Sequence, residues 1–592
     1  MSQTGPSEAT APTAPPSASS GTKSQSPESA TASPRDDLRL VLVTAAILSL
    51  AFFVKTWDTD DLWHLETGRW ILEHRSVPHV DPFSFTAKGK PWLAVPWLSD
   101  TFFFLGYRLF GWVGVSSLKV LCAFGTLAAL GRGLIRSRTS AGVTVATLVV
   151  VAYFLQGRTT TSRPEVLGTL FAAIVVGSVT CAEERVKAPK PWLAVAPVLL
   201  AFGLWPFAHT SCLLTPALAI AWLAGALVRR SRLELRLAAA VLLASGLALG
   251  LAPQGREAIT EALMHSARAS ATIIGATVEW RPPTLSAPGN MVLLAFAATA
   301  LLGAAASLRT SPERALLLGL GLALWLRGQR SAALFVLLGA PAFAVALSSA
   351  KARLASGELE RIAPAAPYAL AGLVVLAHLA LAPAEKQRIL FGSGVEESRF
   401  CGDSLAVLRR APQGRTLNDF HLGGYLMWHG LPDGIFWDGR NLALYTEDDF
   451  RTWYHPAMED PRALEATRQR FDARYIIGSV HGDFEGTATV SPGWLPLFYG
   501  KSSTLFVHES AVDNAIRAGL TPYFRLRFIP VDEWLRVWYG PIVASEPMLA
   551  ELASELRRAL SERPSIVLDT LTFLDEFAPN AAKKLYPSVV PH

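Results

Sequence analysis

The chain has 592 residues, 51% of them hydrophobic, and only 17% are Asp, Glu, Lys or Arg, against about 25% in a soluble domain. A mean hydropathy of +0.31 argues against a wholly soluble enzyme, and the charge is unevenly spread. Residues 385–592 carry 22 basic and 27 acidic residues, which leaves 32 basic and 21 acidic in the first 384. The front is therefore apolar with net charge +11, and the tail resembles an ordinary globular segment of net −5. The pI near 9.1 belongs to the front, so it is not a nucleic-acid footprint and no nucleic-acid partner is expected. Cys122, Cys181 and Cys212 sit inside apolar runs, and Cys401 stands alone in the tail. With no CxxC spacing, neither a disulfide framework nor a thiolate-held metal is expected.

Residues 1–35 hold nine Ser, five Thr, six Pro and six Ala and no Leu, Ile, Val or aromatic residue. Such a stretch cannot bury enough surface to offset its conformational entropy, and it reads as a disordered cytoplasmic tail. The apolar run Leu38–Val54 is a short first span. Ten more apolar stretches follow near 111–131, 140–156, 166–182, 192–208, 211–228, 237–252, 288–308, 315–326, 331–348 and 365–382. The fold class is thus an α-helical polytopic membrane protein of about 11 transmembrane helices, spanning 36–384. A C-terminal extracytoplasmic α/β domain over 385–510 and a helical extension over 511–592 complete it.

Orientation follows from the loops. The connections RGLIRSR (132–138), EERVKAPK (183–190), RRSRLELR (229–236), RTSPER (309–314) and KARLASGELER (351–361) are dense in Lys and Arg, as cytoplasmic loops are. This places the N-terminus in the cytoplasm and the C-terminal domain outside, on the periplasmic or extracellular side of a bacterial inner membrane. The opposite loops hold the residues that look chemical. Ionisable groups near a membrane are costly and usually mark a substrate path.

The first outer loop, 55–97, opens with Asp58, Asp60 and Asp61, and a helix resuming at 60–74 puts Asp60, His64 and Thr67 on one face. A carboxylate beside an imidazole suits a general base, or a divalent cation held by Asp60 and His64. The plainer reading is a helix cap by Asp60 or Asp61, with Trp63 and Trp70 as interfacial anchors. Asp81, in PHVDPFSFT, is a second carboxylate or a turn residue. Arg158, Arg163 and Glu165 flank the next outer mouth; Arg suits phosphate because its planar fork binds two oxygens, while snorkelling and a local Arg163–Glu165 pair are the alternative. Arg327 and Arg330 have no acidic neighbour in sequence, which favours an anion. His209, one turn after Trp205, and Glu279, in VEWRPP, complete the set.

In the tail, Arg415–Asn418, Gly434–Trp437, Arg474–Gly478 and the hairpin Leu495–Tyr499 with Thr504–His508 read as strands, and 396–411, 460–472, 547–561 and 564–576 as helices. His421 with Asp438 has the composition of half a hydrolase site, but no Gly-x-Ser-x-Gly accompanies them, and they read as fold-defining. No Walker loop, dinucleotide fingerprint or kinase motif occurs.

The order of parts resembles the C-type polytopic glycosyltransferases, and DTDDLWHLETGRWIL, VPHVDPFSFT, SRPE, Trp205–His209, APQG, VEWRPP, GGYLMWHG and WDGRN are similar to those of a group of uncharacterised bacterial membrane proteins. The resemblance implies a lipid-bilayer protein that takes a sugar from a polyprenyl-phosphate-linked donor for an extracytoplasmic acceptor, glycan or protein, in envelope assembly. It implies that Asp58 or Asp60 is the base and that Arg163, Arg327 and Arg330 hold the donor phosphate. The acidic element here is DTDD followed by Trp-His rather than a simple acidic pair, so metal use and the identity of the base stay open. A transporter or flippase component that binds lipid-linked glycans, or a membrane scaffold, are the rival readings.

Overall fold

The computed structural model describes residues 34–187, 189–267, 278–284, 288–355, 391–527 and 532–589, with scattered positions between 365 and 376. The expected disordered tail lies almost wholly outside the described residues, as does the expected span at 365–382. Every other expected apolar stretch coincides with a helix. Helix α1 covers Pro34–Ser49, α2 Asp61–His74, α3 Trp97–Arg136, α4 Ala141–Thr159, α5 Glu165–Thr180 and α6 Pro191–Ala208. Helices α7 Thr215–Arg229, α8 Arg232–Leu251, α9 Pro253–Ala267, α10 Pro288–Ser307, α11 Glu313–Arg327 and α12 Ala332–Ala355 follow. Among the described residues, seven helices are long and apolar enough to cross a membrane. The expected run 315–326 is α11, only 15 residues long, and α5 has 16.

Alternation of these helices places the ends of α4, α6 and α11 beside the starts of α5, α7 and α12, the mouth where the acidic loop also sits. The basic loops lie at the opposite ends. Helices α3 and α5 approach until Gly133 touches the backbone of Gly177, where any Cβ would collide with it. Small residues allow such contact where water supplies no drive for helix association.

The tail builds a four-stranded sheet from β1 Arg415–Asn418, β2 Ala473–Ser479, β3 Trp494–Tyr499 and β4 Ser503–His508, in the order β1-β2-β4-β3. Strands β1 and β2 run parallel, and the hairpin β3–β4 adds antiparallel to β2. Alternating apolar side chains bury Leu417, Ile476 and Phe506 in one aromatic core with Trp437, Trp453 and Tyr454. Residues 546–589 form three further helices over a separate core of Leu552, Leu556, Val567, Leu571 and Leu574.

One expected strand is not in the sheet. Residues Gly434–Trp437 stay packed in the domain's core but bridge to the loop between α2 and α3: Ile435 N–H donates to the Phe83 carbonyl at 3.1 Å, and Phe85 N–H to the Ile435 carbonyl at 3.0 Å. The apolar run reads as a strand because its backbone does pair, but with a partner some 350 residues away. The same seam decides Asp81. Its carboxylate lies 2.6 Å from Arg440 Nη1, Arg440 Nη2 lies 2.7 Å from Asp438, and all three side chains are fully buried. Trp92 and Phe83 of the loop cover the guanidinium.

Removing one partner of a buried ion pair strands the other, at about 3–5 kcal/mol. Arg440→Met is therefore expected to loosen the tail from the loop, read as a lower unfolding temperature and faster protease cleavage near 385–440. Unchanged stability would show that the seam is not held by this triad.

Candidate functional site

Nine of the residues singled out in the sequence reach one mouth of the bundle. Asp58 and Asp60 precede α2, Arg158 ends α4, Arg163 lies in the turn before α5, and Glu165 begins α5. His209 joins α6 to α7, Glu279 lies in a 3₁₀ turn, and Arg330 is the middle residue of the turn Gln329–Ser331 before α12. His64, one turn into α2, is the ninth.

Arg163 stands between two carboxylates. Its Nε and Nη2 lie 2.8 and 2.6 Å from Asp58 Oδ1, and Nη2 lies 2.7 Å from Asp60 Oδ2. The local Arg163–Glu165 pair is thus not formed. Glu165 instead receives Arg330 at 2.6 Å and Arg158 at 3.7 Å, while Glu279 receives Arg158 at 2.7 Å and Arg330 at 4.0 Å. Two arginines and two glutamates form a square, with the Arg330 guanidinium stacked 4.1 Å from the centre of Trp280. Arg330 has its acidic partners, but they come from segments remote in sequence. Arg327, the other half of the expected doublet, ends α11 with an exposed side chain outside this square. Asp81, as described, lies apart in the seam.

Neither cap expected of α2 forms. Asp60 is the N-cap residue but its side chain makes no cap hydrogen bond. Asp61 is fully buried, and its Oδ1 accepts the Ser162 N–H at 2.7 Å, tying the acidic loop to the turn that carries Arg163. His64 does not pair with Asp60 either. Its Nδ1 lies 2.7 Å from Asp100 Oδ1, at the buried start of α3. Burial holds the His64 imidazole well below its usual range, with Arg163 and His209 adding to the effect. The His209 ring lies 2.7 Å from Ser211 Oγ, which also accepts from Trp205 Nε1 at 3.0 Å; burial pushes it down to about 4 against the pull of Glu165.

Burial raises the Asp60 carboxyl to about 6, opposed by Arg163 and reinforced by Asp58. A carboxylate poised there is ionised at neutral pH and still basic enough to take a proton, which is what a general base requires. As a cation site the arrangement is poor. Arg163 already fills the gap between Asp58 and Asp60, His64 faces elsewhere, and among the described residues no three His, Cys, Asp or Glu side chains gather as metal ligands. The residues as placed do not fit a bound dication.

Two supporting residues escaped the sequence reading. Asp100 sits in WLSDTFFF, a lone carboxylate at the head of an apolar run. Lys119 is fully buried in α3, where its Nζ donates to the carbonyls of Val54 at 2.7 Å and Thr160 at 3.1 Å. Its signal was available, since a single Lys inside an otherwise apolar span is expensive and needs a reason. In the tail, His421 turns to Ser479 Oγ at 2.6 Å rather than to Asp438, which Arg440 holds.

The tail covers this mouth. Gly424 of the helix Phe420–Trp428 sits on the Thr59 carbonyl, and Gly439 of WDGRN sits on the Asp60 carboxylate, where an added Cβ would collide with Oδ1.

No family model and no curated protein matches the chain. Solved structures do. The chain is similar to the archaeal oligosaccharyltransferase AglB from Archaeoglobus fulgidus in complex with an inhibitory peptide and a dolichol-phosphate, at TM-score 0.56 and 14% identity over 92% of this chain and 86% of that one. The apo form of the Archaeoglobus fulgidus oligosaccharyltransferase gives TM-score 0.52 and 12% identity over 80% and 74%. The apo ArnT from Cupriavidus metallidurans gives TM-score 0.48 and 12% identity over 81% and 99%. The chain shares the fold of the archaeal oligosaccharyltransferase structures. At these identities the likeness fixes the architecture, a helical membrane bundle with a C-terminal sheet and helices, and not the substrates.

Overfilling a packed contact costs about 1–3 kcal/mol. Gly439→Ala is therefore expected to lower the unfolding temperature by several degrees. Gly486→Ala, whose Cβ would meet nothing, should leave it unchanged. Equal behaviour of the two variants would mean that the WDGRN loop does not rest on Asp60.

Proposed function

We propose that the protein transfers a sugar from a polyprenyl-phosphate donor to an extracytoplasmic acceptor in envelope glycan assembly. The observation that carries this reading is the convergence of Asp58, Asp60, Arg163 and the Arg158–Glu165–Arg330–Glu279 square at one covered mouth of this fold. A neighbour of the same fold was solved with a dolichol-phosphate, and arginines at the mouth of the bundle are the groups that would receive such a phosphate here.

Asp60 takes the proton of the acceptor hydroxyl. The freed oxygen attacks the anomeric carbon from the face opposite the phosphate, the carbon–oxygen bond to the donor breaks, and its electron pair leaves on the polyprenyl phosphate. Configuration inverts in this single displacement. Arg330 and Arg158, released from Glu165 and Glu279, stabilise the charge on the leaving phosphate, and Arg163 keeps Asp58 and Asp60 in register. Under this reading the loops rich in Lys and Arg face the cytoplasm, and the mouth and the tail face outward.

General-base catalysis contributes about 10²–10⁴-fold. Asp60→Asn is expected to lower transfer to acceptor by that factor, while mass spectrometry still finds the polyprenyl-phosphate sugar co-purifying with the protein. Because the base must be ionised, the rate should rise with pH through an apparent pKa near 6 and fall below it as Asp60 is protonated. Envelope glycans that are unchanged by Asp58→Asn with Asp60→Asn would sink the transferase reading. Retained lipid together with unchanged glycans would favour a carrier of lipid-linked glycans.

A further inference from the structure

The opposite mouth of the bundle holds a second polar cavity, of about 340 Å³, between the ends of α3, α5, α7 and α11. Arg136 and Arg138 line it from α3 and the following turn, Thr180 from α5, Arg229 from α7 and Arg314 from α11. With Lys187, five basic side chains face three acidic ones, Glu183, Glu184 and Glu313.

Each acidic group already has a basic partner, and only Glu313 Oε2 is left buried without a hydrogen bond. Glu184 takes Arg138 at 3.2 Å and Lys187 at 3.4 Å, Glu183 takes Lys187 at 2.9 Å, and Glu313 takes Arg229 at 2.9 Å. Arg229 also binds Glu234 through two nitrogens, at 2.6 and 3.1 Å. Arg136 and Arg314 therefore have no carboxylate within ion-pair distance among the described residues. Arg314 Nε is in addition a buried donor with no hydrogen-bond partner. A buried N–H left without an acceptor is costly. Ser137 and Thr180 hydroxyls donate to the Leu134 and Val176 carbonyls and do not relieve it.

A bias of Lys and Arg in loops needs no pocket, since orientation alone accounts for it. Orientation does not account for four loops folding around one cavity, nor for Arg314 half-buried beside it and Arg136 on its rim, neither of which has a carboxylate partner among the described residues. A ligand that only accepts hydrogen bonds, carries negative charge and matches the planar fork of Arg fits these requirements, and phosphate is that ligand.

We propose that this cavity binds a phosphate group, either the headgroup of an anionic phospholipid from the adjoining leaflet or free phosphate. The site is independent of sugar transfer, but the same helices carry both ends. Helix α5 runs from Glu165 to Thr180, about 24 Å, and α11 runs from Arg314 towards Arg330.

The test uses the full chain purified in detergent, as wild type, as Arg136→Gln with Arg314→Gln, and as Arg232→Gln, a control at the exposed start of α8. Native mass spectrometry with added phosphatidylglycerol and thermal unfolding with inorganic phosphate are read in parallel. If the headgroup is the ligand, wild type and the control retain phosphatidylglycerol, and the double variant binds it about tenfold more weakly. If free phosphate is the ligand, it raises the unfolding temperature of wild type and the control but not of the double variant, without retained lipid. If the double variant does not fold, Arg136→Gln alone, on the exposed rim, is scored in the same way. Equal retention and equal stabilisation in all variants, or none in wild type, overturns the proposal.

Discussion

Two carboxylates two residues apart at the edge of an apolar bundle need a cation, and Arg163 is that cation. Its guanidinium binds Asp58 and Asp60 together, so the loop after α1 cannot move without the turn before α5. Neighbouring contacts reinforce the same junction. Asp61 accepts from Ser162, and Lys119 holds the carbonyls of Val54 and Thr160 from within α3. Segments 54–61 and 160–163 therefore behave as one unit, and the rest of the mouth is arranged around it. The second arginine pair repeats this economy on a larger scale, because each guanidinium of the square faces two carboxylates and each carboxylate two guanidiniums. Such a network is stable while closed, and its arginines can take another anion only by giving up glutamate partners.

Much of this was legible in the sequence because a membrane sorts charge. Apolar runs mark helices, loops rich in Lys and Arg mark one end, and what remains at the other end is sparse enough to stand out. Asp58, Asp60, Arg158, Arg163, Glu165, His209, Glu279 and Arg330 were visible for that reason. The sheet was legible through short runs rich in β-branched and aromatic residues, as in Arg474–Gly478, and through the hairpin at Gly500–Ser503.

Pairing was not legible, because it joins positions that no local pattern connects. Arg158 meets Glu279 across 121 residues and Arg330 meets Glu165 across 165. From sequence, Arg330 looked short of acidic neighbours. His64 looked like a partner for Asp60 because helical spacing is the relation a sequence displays best, yet the partner it takes is Asp100. Gly434–Trp437 carried a true signal of strand pairing with nothing to say with what. Lys119 was hidden differently: a long apolar run absorbs one lysine when only averages are read.

The buried triad of Asp81, Asp438 and Arg440 bears on how the protein comes to be made. Asp81 and Arg440 are 359 residues apart, and the chain between them contains almost the whole bundle. During synthesis the loop that carries Asp81 therefore emerges long before its partner exists, and it must wait, with a carboxylate destined for a dry interior, while helix after helix is added. Closing so long a loop late favours an order in which the bundle assembles first and the tail docks last. Until then Asp60 stands uncovered, so biogenesis itself passes through an open form of the mouth. A chain interrupted before residue 440 would be arrested in that form.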